Sequence, residues 1–200
     1  MALDTADLRE DYLTARAYCL TAAFWFAGAT SVGLLAASYL VAPDFMADIS
    51  FLQFGRIRPI HVNLVLFGFV TPGLLGAAHY FVPRLMGTRL YSQKLGLITV
   101  LLWNVALIAG IVALSLGHTQ ARDYAEFIWP VDVLIVLSFA MIGYNLLMTI
   151  RRRLEPILYV SVWYVCAAVV MTGATYFLGN VIWEPGTGAL SGIPDAILLW

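Results

Sequence analysis

The sequence predicts an all-α membrane protein: a helical bundle of five transmembrane helices plus the start of a sixth. Three observations predict it. Of the 200 residues, 62% are hydrophobic and only 12% charged, against about 45–50% and about 25% in soluble globular domains. The mean hydropathy is correspondingly high, +0.86. The apolar residues gather into long runs, and about 20 of them in a helix cross a hydrocarbon core of about 30 Å. No period-two alternation supports a barrel, so the backbone must satisfy its own hydrogen bonds in lipid as helices.

The five runs cover residues 17–42, 60–82, 95–116, 129–150 and 157–182, and a sixth begins near Ile193. Pro43-Asp44 closes the first run and Trp183-Glu184-Pro185-Gly186 the fifth, with Gly and Pro clustered between runs as helix breakers. Residues 1–15 read as a cytoplasmic N-terminal tail and residues 16–200 as the transmembrane bundle. The first eleven residues set Asp4, Asp7, Glu10 and Asp11 against Arg9 alone. A secretory signal has a positive leading region and a small-residue cleavage site, so the first span is expected to stay in the mature protein. Pro72, followed by Gly73 and Gly76, falls mid-span in the second run; a kink and a closely packed neighbour are expected there, the alternative being a proline tolerated without consequence. Cys19 and Cys166 lie inside apolar runs and behave as small hydrophobes, so no disulfide is expected.

Loop charges orient the bundle. Arg84, Arg89 and Lys94 follow the second run, and Arg151, Arg152 and Arg153 follow the fourth. The positive-inside rule makes both loops cytoplasmic, and the N-terminus with them. The opposite loops are mixed in sign, which places His61 near the outer surface. No basic patch interleaved with aromatics points to nucleic acid.

Phe54-Gly55-Arg56-Ile57-Arg58-Pro59-Ile60-His61-Val62-Asn63 is the stretch where chemistry concentrates. An ionisable side chain within a membrane span marks a candidate functional site. Neutral imidazole is a common axial ligand of haem iron, and Arg56 and Arg58, one turn toward water, suit the carboxylates on a haem edge. The alternative for His61 is a hydrogen bond to a neighbouring helix. His79 is 18 residues further on, which is five helical turns on the same face but roughly 27 Å away, so the two cannot share a metal. His79, beside Tyr80 and Arg84, reads as an interfacial residue, and His118 as a solvated loop residue. Glu126 precedes the fourth run on the side of Arg56 and Arg58. It suits an arginine or a hard cation such as calcium, or else it is a solvated acid at a helix N-terminus. Asp132, one turn further, requires a hydrogen-bonding partner.

These residues resemble a family. The segment from Phe54 to Asn63 is similar to the second-helix signature of subunit I in the haem–copper oxidase superfamily, closest to the C-family (cbb-type) oxidases and nitric oxide reductases. Tyr124-Ala125-Glu126 with Trp129-Pro130 resembles the start of helix four there. Ile157-Leu158-Tyr159-Val160-Ser161-Val162-Trp163-Tyr164 resembles the start of helix five, and Asp195-Ala196 through Trp200 the approach to helix six. The resemblance implies that His61 is one axial ligand of a low-spin b-type haem, that Arg56 and Arg58 lie at its propionates, and that Glu126 is associated with calcium. It implies a terminal respiratory reductase of the bacterial inner membrane, reducing oxygen to water or nitric oxide to nitrous oxide. Partners would be lipid, the remaining helices of subunit I and a cytochrome c-type electron donor. The family's catalytic histidines, high-spin haem and second metal belong to helix six and beyond, so no catalytic residue is expected within these 200. The chain then reads as an N-terminal portion of a larger catalytic subunit or half of a split one. A non-catalytic membrane scaffold of the same descent, associating through Gly28, Gly33, Gly73 and Gly76, is the alternative.

Overall fold

The computed structural model describes residues 12–46, 48–120 and 125–181. Among these residues it contains helices and no strands, and five helices are long and apolar enough to cross a membrane. They are α1 (Leu13–Val41), α2 (Phe54–Leu85), α3 (Gln93–Leu116), α4 (Trp129–Arg151) and α5 (Val160–Val181). Most of the N-terminal tail, Tyr124 and the expected sixth span lie outside the described residues.

Local chemistry accounts for the helix boundaries. The Ser92 hydroxyl caps α3 by accepting from the Leu95 N–H at 3.1 Å. Gly117 ends the same helix in the left-handed region, φ 89°, where a side chain would be strained. Pro130 sits in the first turn of α4, where its missing N–H has no intrahelical acceptor to satisfy. The second span starts six residues earlier than hydropathy suggested, because Arg56 and Arg58 belong to its first turns.

α2 is not uniform. It is α-helical over Phe54–Asn63 and Thr71–Leu85, with a π-helical stretch over Leu64–Val70 between them. Pro72 explains the wide turn. It has no N–H to give, and its ring crowds the carbonyl one α-turn back. The Thr71 N–H reaches back to the Leu66 carbonyl, and in that pattern the Phe67 carbonyl would pair with the nitrogen of Pro72. The indole of Trp103 on α3 supplies the missing donor, Nε1 to Phe67 O at 2.7 Å. An orphan carbonyl in lipid is costly, and Trp103 is almost fully buried as it satisfies this one.

α1 packs along α2 and also meets α3; α3 packs on α4, and α4 on α2 and α5. The expected close approach at the glycines of α2 is present. A Cβ at Gly76 would stand 2.8 Å from Cys19 Sγ and 3.2 Å from the Ala15 carbonyl oxygen, so only glycine lets α1 come this near. Polar side chains tie α1 to α3: Trp25 Nε1 donates to Asn104 Oδ1 at 2.8 Å, and Thr14 Oγ1 donates to Gln93 Oε1 at 2.6 Å. In lipid, such interhelical bonds contribute roughly 0.6–2 kcal/mol each. Leu107, Ile135, Phe139 and Ile142 fill the buried centre between α3 and α4.

Candidate functional site

His61 lies on the second turn of α2 and turns toward α1. Its Nδ1 is 2.9 Å from the backbone oxygen of Ala29, so Nδ1 carries the proton and donates. Nε2 keeps its lone pair. The ring rests on Gly33: a Cβ there would be 2.6 Å from Cε1 and 2.8 Å from Nδ1. Glycine is therefore required for the imidazole to reach the Ala29 carbonyl. The side chain is half-buried, so it is sheltered without being sealed. An N–H donated to a carbonyl is how protein histidines fix the tautomer and raise the basicity of the other nitrogen when that nitrogen binds a metal. Both readings of His61 are thus compatible in one ring, since a hydrogen bond to the neighbouring helix uses only one nitrogen.

The remaining residues of this end are anchored by backbone. Arg56 donates from Nη1 to the Ser115 carbonyl at 2.7 Å, and its guanidinium lies against Gly117. It is half-buried, whereas Arg58, on the same helix, is exposed. Asn63 is buried; its Nδ2 donates to the Pro59 carbonyl at 2.9 Å and to Glu126 Oε2 at 3.1 Å. That contact brings Glu126 to α2. The Glu126 carbonyl accepts from Thr119 Oγ1 at 2.9 Å and from the Gln120 N–H at 3.2 Å, which folds the segment after α3 back onto the start of α4.

Asp132 has the partners its burial demands. The Tyr176 hydroxyl donates to Oδ1 at 2.6 Å and Gln120 Nε2 to Oδ2 at 2.7 Å. His79 departs from expectation. It is 2% exposed, not interfacial, and packs on the Tyr18 ring at 5.1 Å between centroids. Its neighbours Tyr80 and Arg84 do face outward, but adjacent residues on a helix point about 100° apart. His61 and His79 both meet α1, as the five-turn spacing anticipates, at opposite ends of α2. His118 is exposed just past α3. Among the described residues no three of His, Cys, Asp and Glu gather to hold a metal ion.

Comparison with known proteins decides the class. The family described as cytochrome c and quinol oxidase polypeptide I matches residues 14–193. The chain belongs to this haem–copper oxidase subunit I family. It is 29% identical over 194 residues to the cbb3-type cytochrome c oxidase subunit CcoN1 of Stutzerimonas stutzeri, covering 94% of this chain and 41% of that protein. A cytochrome c oxidase subunit 1 homolog (bacteroid) of Bradyrhizobium diazoefficiens is 31% identical over 186 residues, covering 90% of this chain and 34% of the relative. A nitric oxide reductase subunit of Stutzerimonas stutzeri is 27% identical over 186 residues, covering 82% of this chain and 36% of its own length. The chain thus spans about two fifths or less of these relatives. With five membrane-crossing helices and bacterial respiratory oxidases as relatives, it is a multi-pass bacterial membrane protein.

Sequence reasoning singled out His61, Arg56, Arg58 and Glu126 as candidates. It missed Ala29, Ser115 and the role of Asn63. Gly33 was visible only as one small residue among several on α1, and nothing in the sequence names a backbone carbonyl as an acceptor.

Proposed function

We propose that this chain is the haem-binding portion of the catalytic subunit of a terminal oxidase, in which His61 Nε2 would hold the iron of a low-spin b-type haem. The whole subunit would draw electrons from a cytochrome c-type donor and reduce oxygen to water at a binuclear centre formed by other helices. When bound, the haem supplies a one-electron carrier within the membrane. The observation that carries the reading is the half-buried His61 ring itself, with Nδ1–H engaged by Ala29 and Nε2 left outside that bond. Arg56 and Arg58 sit toward the aqueous end of the same helix and are placed to pair with propionates. Arg56 is held on Ser115, so little side-chain freedom remains to be lost on pairing.

Calcium fits more narrowly. It takes about six to eight oxygen ligands, and the carboxylates here are already engaged, Glu126 by Asn63 and Asp132 by Tyr176 and Gln120. Glu126 would be a single ligand with the rest from outside. The arginine-rich loops after α2 and α4 support a cytoplasmic N-terminus. Reduction of nitric oxide is the second reading, favoured by the match to a nitric oxide reductase. The test is His61→Ala in the complete subunit. Loss of the low-spin haem absorption bands is expected, with the bundle still inserted; unchanged bands would remove the assignment.

A further inference from the structure

The arginine-rich end of the bundle is more ordered than two charged loops need be. The segment after α4 is tied to the segment after α2, with the Met86 carbonyl accepting from the N–H groups of Leu154 at 3.0 Å and Glu155 at 3.4 Å. Thr149 Oγ1 accepts from the Tyr91 N–H at 2.9 Å. Asn145 pairs with both backbone groups of Ser92, at 3.1 and 3.0 Å. Charges from two loops therefore stand on one stitched surface. Arg84, Arg89, Lys94, Arg151, Arg152 and Arg153 are all exposed there, and Glu155 is the one acid in either connecting segment. The Arg152 guanidinium is held over the Tyr91 ring at 4.4 Å from its centroid, a cation–π contact that limits its rotamers. The chain that follows the cluster leaves apolar side chains uncovered as it enters the next span: Leu154 is 80% exposed, Ile157 66% and Trp163, in the first turn of α5, 62%.

We propose that this rim is a binding site for an anionic phospholipid, with its phosphate on the Arg151–Arg153 cluster and an acyl chain along Leu154, Ile157 and Trp163. The charge excess selects an anion. The adjoining aliphatic and indole surface selects one that carries a hydrocarbon tail, because a soluble phosphate would leave it uncovered. Interfacial tryptophan and arginine are both side chains expected at headgroup depth. The proposal is independent of the haem, since it uses the opposite end of the bundle from His61.

The test uses the full-length protein in phosphatidylcholine bilayers with spin-labelled phosphatidylglycerol or spin-labelled phosphatidylcholine as probe. The fraction of each probe immobilised on the protein is read by electron paramagnetic resonance. Phosphatidylglycerol is expected to be preferred severalfold at low salt, each arginine near the surface being worth about 1 kcal/mol, or about fivefold. The Arg151→Gln/Arg152→Gln/Arg153→Gln variant is expected to bring the two probes close to parity. Equal retention by the unaltered protein, or a preference unchanged in the variant, overturns the proposal. Should the variant fail to insert, a salt titration of the unaltered protein decides. The preference is expected to fade as salt shortens the screening length toward about 3 Å at 1 M, and one that persists at that salt refutes the site. If inorganic phosphate abolishes the preference at constant ionic strength, the rim is a free-anion site and the lipid assignment fails.

Discussion

Gly33→Ala isolates the steric part of the His61 arrangement. The new Cβ would stand 2.6 Å from His61 Cε1 and 2.8 Å from Nδ1, whereas carbon atoms in contact settle at about 3.5–4.0 Å. The ring must therefore retreat by about 1 Å. The bond from Nδ1 to the Ala29 oxygen, now 2.9 Å, would stretch well past the usual limit of about 3.2 Å. Losing it costs about 1 kcal/mol, and overpacking at the α1–α2 contact adds about 1–3 kcal/mol. The bundle would survive. An axial ligand, though, needs placement within about 0.5 Å, so the haem should suffer far more than the fold. The assay compares Gly33→Ala with His61→Ala in the complete subunit by low-spin haem absorption and by thermal midpoint. A Gly33→Ala protein with native haem bands would refute the reasoning, because the proposed ligand would then not depend on the cradle.

Three further substitutions probe the packing. Tyr18 and His79 face each other with the Tyr18 hydroxyl and His79 Nε2 both buried and without a hydrogen-bond partner among the described residues. Tyr18→Phe removes one desolvated hydroxyl and is expected to be neutral or to raise stability by up to about 1 kcal/mol in denaturant titration; a loss above that range would show that the hydroxyl is bonded. Trp103→Phe strands the Phe67 carbonyl and is expected to cost about 1–3 kcal/mol from the orphaned group, with some lost packing besides. Pro72→Ala restores a donor to α2, so the Trp103→Phe penalty should shrink in that background. Equal penalties in both backgrounds would break the link drawn between Pro72 and the wide turn.

The number and order of the spans were legible because lipid imposes a length of apolar residues that few soluble segments reach. The start of α2 was not legible. Arg56 and Arg58 lower the local hydropathy while still being helical, since an arginine at a span end lies at the aqueous boundary. The π-helical stretch was foreshadowed only as a kink at Pro72, because its geometry depends on Trp103, 31 residues away in sequence. At the candidate site, the side chains with distinctive chemistry, His61, Arg56, Arg58 and Glu126, stood out. Their supports did not. Ala29 and Ser115 contribute backbone carbonyls, and carbonyls are present at every residue. His79 was misjudged for a related reason: its neighbours in sequence point to the rim while its own face meets Tyr18.

The anchor of His61 has an evolutionary corollary. Its acceptor is main chain, so replacing the side chain of residue 29 leaves the oxygen in place as long as α1 stays helical. Drift at that position is therefore harmless to the imidazole unless bulk intervenes. Constraint migrates instead to residue 33, which carries no functional atom at all, and whose contribution is the absence of one.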